Sequence, residues 1–221
     1  FDVARIASFH KPKVIFLENV KGLKNHDKGK TFKVIEQTLQ DMGYFVYHKV
    51  LNARDFGVPQ NRERIYIVAF RENLDFEFPK PFQLAKEIKD CFVLEVPDKY
   101  YYNDKPLFER VSSQITKQDI LYQWRRQYVR ENKTNVCPTL TANMGMGGHN
   151  VPILLDTKGI RKLTPRECAN FQGFPNNYKL PNTLTDSALY KQVGNSVCIP
   201  VIELIMKNIK KSIENYDNKL L

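Results

Sequence analysis

Apolar positions in this chain recur at helical spacing in some stretches and run unbroken in others. Val14-Ile15-Phe16-Leu17 is a short continuous apolar run, following Pro12 and ending abruptly in Glu18-Asn19. A run of that length, rich in β-formers, predicts a strand buried on both faces of a parallel sheet. Over residues 1–10, Val3, Ile6 and Ala7 share one face of a predicted helix. Phe32, Ile35, Leu39 and Met42 predict a second helix, capped by Thr31 and ended by Gly43. Residues 44–51 and 64–70 read as strands, and the loop between them carries Gly57 and Pro59. The order helix, strand, helix, strand, strand predicts the closing part of an alternating α/β domain.

Past Pro79 and Pro81 the periodicity breaks up. Residues 89–160 hold short mixed patterns, the cluster Tyr100-Tyr101-Tyr102 and a basic aromatic segment over 122–130. A glycine-rich stretch follows at 144–150, and the whole predicts a second, irregular domain of loops and short strands. Trp124 and Tyr128, four residues apart, also fit the core of a helix; core packing is the preferred reading for Trp124, and phosphate contact for Arg125, Arg126 and Arg130. Thr164, Pro165 and Glu167 predict a capped helix start, with a stop near Gly173. The last helix is predicted from about Pro200 toward Tyr216, with Val201, Ile205, Ile209 and Ile213 inward and Lys207, Lys210 and Lys211 mostly outward.

Composition narrows the partners. The chain has 221 residues, 42% hydrophobic and 12% aromatic, enough for one large domain or one and a half smaller ones. Lys and Arg number 34 against 24 Asp and Glu, a net charge of +10 with a pI of about 9.4. Such an excess points to a polyanion, most simply nucleic acid, although a basic surface can also serve solubility alone. No apolar run is long enough to span a membrane, and no signal peptide opens the sequence. Cys91, Cys137, Cys168 and Cys198 lack Cys-x-x-Cys spacing, which argues against zinc or any other metal and gives no disulfide framework. A reducing, cytoplasmic setting is expected. The sequence begins at Phe1 within a helical pattern, so it reads as the rear part of something larger.

Glu18 stands just beyond the carboxyl end of the first strand, where α/β sheets gather ligands and chemistry. Its plain alternative is a solvated strand-end carboxylate. Three further pieces follow in order: Gln60-Asn61-Arg62-Glu63-Arg64; Leu163 to Ala169 with Gln172-Gly173-Phe174-Pro175; and Gly194-Asn195-Ser196-Val197. Together with Glu18-Asn19-Val20 they resemble the cytosine-5 DNA methyltransferases, from end to end of the chain. The resemblance implies an α/β fold: the rear portion of a Rossmann-like S-adenosylmethionine-dependent methyltransferase sheet, plus a smaller, irregular, mostly β target-recognition domain. Residues 1–88 and 185–221 would be catalytic, and 89–184 the recognition domain and hinge.

The implied activity moves a methyl group from S-adenosylmethionine to carbon 5 of a cytosine swung out of a specific duplex site, as in a restriction-modification system. In that family a cysteine thiolate attacks carbon 6, and a carboxylic acid at ring nitrogen 3 offsets the charge that develops. By resemblance Glu18 has that role, Arg64 holds the base carbonyl and a nearby phosphate, and Arg62 is on the backbone. Phe174, Asn195 and Ser196 match positions beside the cofactor; Ser196 reads nearly as well as a cap of the last helix. Gln60, Thr139, Asn143, His149 and Asn150 join Arg125, Arg126 and Arg130 as DNA contacts, with Thr139-Leu140 matching the family's short recognition marker.

Two family pieces are missing from the sequence. No Phe-x-Gly-x-Gly loop and no Pro-Cys pair occurs, and Cys168 and Cys198 read as small core residues inside helices. The expectation is therefore a truncated or split enzyme, completed by a front-half polypeptide or upstream segment and exposing an apolar edge without it. Two other readings are a non-catalytic, sequence-specific DNA-binding remnant or subunit and an RNA cytosine methyltransferase. The glycine-rich 139–150 loop favours duplex DNA.

Overall fold

Glu63–Phe70 (β3) is the strand on which the front of the chain closes. In the computed structural model, which describes residues 2–83, 85–145 and 150–220, β3 lies between Val14–Val20 (β1) and Phe45–Asn52 (β2). Both neighbours run antiparallel to it, with Leu17 and His48 each opposite Ile67. This corrects the parallel pairing expected for β1, which is an edge strand of the sheet and buries only Ile15. Burial on both faces belongs instead to β3, where Ile65 to Phe70 are at most 2% exposed. A central strand has a ladder on either side and cover above and below, so it tolerates an unbroken apolar run.

One face of this sheet carries Ile15, Tyr44, Ile65, Ile67 and Ala69, packed with Ala7 of the helix Asp2–His10 (α1) and Phe32 and Leu39 of Lys30–Asp41 (α2). Thr31 is not the cap of α2. The helix starts after Gly29, at φ +86°, without a side-chain cap, and the Thr31 hydroxyl lies 2.6 Å from His26 Nδ1. Gly43, at φ +84°, follows its end as expected. On α1 only Ala7 is buried; Val3, Ile6 and Phe9 are 47%, 51% and 82% exposed. Here the apolar face foreseen from the spacing exists, but the described residues leave it uncovered.

By packing, the chain forms two compact units. Residues 1–52, 63–81 and 203–221 make the first, and residues 53–62 and 82–202 the second. The second holds a four-stranded antiparallel sheet in the order Val129–Glu131 (β5), Tyr122–Trp124 (β4), Val151–Leu155 (β6) and Ile160–Lys162 (β7). Its helices are Leu107–Val111 (α3), Pro165–Phe171 (α4) and Asp186–Asn195 (α5), and the helix Ile199–Leu220 (α6) starts in it. The α/β class is as expected; the second unit has an antiparallel sheet but is mixed, with helices as well as short strands.

Trp124 and Tyr128 are not on a helix. They flank a hairpin turn in which the Arg125 N–H donates to Tyr128 O at 2.9 Å and Arg126 takes φ +67°. Trp124 is core, with Tyr122, Val151 and Ile153, while Tyr128 is exposed. A second core gathers Leu121, Cys137, Leu140, Cys168, Phe171 and Tyr190. The α4 start is as the sequence predicts: Glu167 N–H donates to Thr164 Oγ1 at 3.1 Å, and Thr164 N–H to Glu167 Oε2 at 2.7 Å. Arg161 completes it, forking onto both Glu167 oxygens at 2.9 Å.

Candidate functional site

Antiparallel pairing of β1 with β3 decides where Glu18 and Arg64 meet. Glu18 is opposite Tyr66, two residues from Arg64, so the two side chains are diagonal neighbours on one face of the sheet. Arg64 Nε lies 3.0 Å from Glu18 Oε1, with side-chain exposures of 14% and 25%. Glu18 thus lies inside β1, two residues before its last, and not beyond the strand as the sequence suggested; a guanidinium holds its carboxylate, which remains partly exposed. Lys21 and Glu63 pair nearby at 2.9 Å, and Asn19 Oδ1 accepts from the Val20 N–H at 2.8 Å.

In the second unit, residues 60–62 tie together three of the sequence motifs. Gln60 is fully buried; its Nε2 donates to Phe171 O at 2.8 Å and its Oε1 accepts from the Leu140 N–H at 3.2 Å. Arg62, 3% exposed, donates to Leu140 O at 2.9 Å, Gly194 O at 3.3 Å and Ser196 O at 2.7 Å. The Asn61 N–H donates to Cys137 O, and Asn61 O accepts from Thr139 Oγ1 at 2.6 Å. Glycine is required at 194, where a Cβ would stand 2.3 Å from the Thr141 carbonyl carbon.

These contacts correct two expected roles. The Gln60 amide is enclosed in protein and offers DNA nothing. Arg62 has its fork on main-chain carbonyls, so it is a positioning residue and not a hand on the nucleic-acid backbone. The polar character that suggested ligand contact is consumed by buried peptide groups that need partners. Thr139 is half-buried, its hydroxyl donating to Asn61 O.

Arg126, Arg130 and Asn143 are exposed, Arg125 is half-buried, and Asn150 sits at φ +63° with its N–H on Trp124 O. His149 lies outside the described residues. Of the positions matched to a cofactor, Asn195 is exposed at the end of α5, and Phe174 packs on Tyr178 at 4.7 Å between ring centroids. Ser196 caps α5, not the last helix: its hydroxyl donates to Val193 O at 2.7 Å. This trio offers one aromatic face and one free amide. These three alone do not enclose an adenosyl group.

All four cysteines are free and buried. Burial pushes the Cys91 and Cys198 thiols up to about 11, and Cys137 and Cys168 well above the ordinary thiol range. None is poised as a thiolate nucleophile. Cys168 lies in α4 as expected, but Cys198 falls just before α6. Among the described residues, no group of three or more His, Cys, Asp or Glu could hold a metal ion, and no helix is long and apolar enough to cross a membrane.

Residues 1–211 match the family model described as C-5 cytosine-specific DNA methylase. The chain belongs to that family. It is 54% identical over 221 residues to the Type II methyltransferase M.Bsp6I of Bacillus sp. (strain RFL6), covering 96% of this chain and 70% of that relative. With the Type II methyltransferase M.NlaX of Neisseria lactamica the identity is 40%, covering 96% and 67%; with M1.ScrFI of Lactococcus lactis subsp. cremoris it is 39%, covering 97% and 56%. This methylase-family chain therefore spans 56% to 70% of the length of these relatives. Its fold is similar to that of the Entamoeba histolytica methyltransferase EhMeth, with a TM-score of 0.73 at 22% identity over 91% of this chain and 63% of the other. It is also similar to a putative DNA modification methyltransferase of an E. coli prophage, with a TM-score of 0.68 at 19% identity over 96% and 72%.

Proposed function

We propose that this chain is the base-holding and DNA-reading part of a DNA cytosine-5 methyltransferase of a restriction-modification system, with S-adenosylmethionine as methyl donor. The observation that carries the reading is the Glu18–Arg64 pair at 3.0 Å on a strand end, within a chain of this family. Glu18 supplies a carboxylic proton toward ring nitrogen 3 of a flipped-out cytosine. Arg64 orients that carboxyl and offers its remaining N–H groups to the base carbonyl and a phosphate. Residues 1–88 and 185–221 take the catalytic role and 89–184 that of recognition and hinge. Phe174 and Asn195 form at most the border of the cofactor site. The nucleophilic thiol and the glycine loop come from a front-half polypeptide or segment, since no Pro-Cys pair and no Phe-x-Gly-x-Gly loop occurs here and the four thiols are buried.

The test is methyl transfer from labelled S-adenosylmethionine to mixed-sequence duplex DNA, with this chain alone and with a family front half supplied in trans. Activity is expected only with the complement, and Glu18→Gln should then lower the rate about 100-fold or more, the scale of a lost general acid. Activity from the chain alone would overturn the split reading. Methylation of transfer RNA in preference to duplex DNA would overturn the substrate.

A further inference from the structure

The second unit contains a polar cleft of about 680 Å³, floored by the β4–β5 hairpin and closed by the 132–141 segment and Asn150. Strand alternation decides what its floor presents. Tyr122 and Trp124 point into the core, so Gln123 between them faces the cleft, directly opposite Arg130 on β5.

Several polar groups around the cleft are already engaged. Thr139 donates to Asn61 O, Asn132 Oδ1 accepts from the Thr134 N–H and hydroxyl, and Glu131 is paired with Lys117 at 3.0 Å. Two amides are left over. Gln123 is 9% exposed, lines the cleft and has no side-chain hydrogen-bond partner among the described residues; Asn150 Oδ1 is a fully buried polar atom without one. Arg125 and Arg130 line the same cleft. A buried amide oxygen without a partner, as at Asn150, is unusual in a native fold and marks a place where a ligand completes the bonding; Gln123 presents its amide to the same space. Gln123 adds one acceptor and two donors, held on a strand rather than a mobile loop, so their direction is fixed.

We infer that Gln123 is a specificity-determining residue: its amide reads the edge of one base within the recognition site, while the flanking arginines hold phosphates. Side by side, amide oxygen and NH₂ complement an edge that pairs a donor with an acceptor, which in the major groove is adenine N6 and N7. The inference rests on the DNA reading of this chain proposed above and adds the residue and the chemistry that discriminate.

Selection of bound sequences from a randomised duplex pool tests it, using the full chain, with circular dichroism and thermal melting to confirm that each variant is folded. The wild type should enrich a site containing one position held by Gln123. Gln123→Leu should flatten preference at that position alone by 10-fold or more, and Gln123→Glu, an acceptor only, should shift it toward cytosine, whose N4 donates. A wild type that enriches a site while folded variants enrich the same one overturns the inference and leaves the DNA reading intact. A wild type that enriches nothing overturns both.

Discussion

Arg62 and Arg64 are two residues apart and of one type, yet their surroundings assign them opposite work. Arg62 spends its guanidinium on three carbonyls while 3% exposed, whereas Arg64 meets one carboxylate at a partly open strand end. Arg62→Ala would leave those carbonyls and the space unfilled, and should cost about 3 kcal/mol or more in denaturant unfolding. Arg64→Ala should cost less than ~1 kcal/mol, since a partly exposed pair contributes little, while abolishing most of any complemented methyl transfer. Equal stability losses would remove the distinction. Both arginines were legible as important from Gln60-Asn61-Arg62-Glu63-Arg64. Which one faces a ligand was not, because a donor's sequence context does not say whether its acceptor is a peptide carbonyl or a phosphate. Gln60 was misread for the same reason.

At the scale of elements, the start of α4 combines a capping box with a buried ion cluster. Arg161, 3% exposed at its side chain, is bound to Glu167 at 2.9 Å and to Asp156 at 2.5 Å, joining β7 and the β6–β7 turn to the helix. Arg161→Met strands the Glu167 charge in the core and should cost ~3–5 kcal/mol. Burial alone would raise the Asp156 carboxyl, but Arg161, the Lys158 N–H and Tyr101 hold it below the usual carboxylate range. A depressed folded value means that the unfolded chain binds the proton more readily. This contribution is therefore fully present above the unfolded value, about 3.9, and lost as pH falls through the lower folded one. Asp156→Asn should melt earlier than wild type at pH 7, with the gap closing below about pH 4. A gap unchanged by pH would disprove the linkage. The box was legible because Thr164 and Glu167 are three residues apart, but Arg161, on a strand across a turn, carries no such spacing signal. Direction in a sheet is equally silent: the run Val14–Leu17 predicts a strand, not that its partner will be antiparallel β3.

Over the whole molecule, a charge of +10 and the exposed arginines of the β4–β5 hairpin set how binding to DNA responds to salt. If Arg125, Arg126, Arg130 and Lys133 each neutralise a phosphate, log K should fall with log salt at a slope of roughly −3 to −4. A slope near zero would show that these cations do not touch the backbone. The order of the motifs along the chain was enough to recognise the family; the division into packed units was not, because residues 53–62 join the second unit from within the β2–β3 hairpin of the first. That placement has a consequence for how such proteins diversify. Apart from the Gln172 side-chain oxygen that Gln60 meets at 3.2 Å and the glycine required at 194, the anchors that Gln60 and Arg62 grip, at Leu140, Phe171, Gly194 and Ser196, are main-chain atoms. Side chains between those anchors can be rewritten by recombination, and the socket will still accept the new segment provided its backbone keeps the same path.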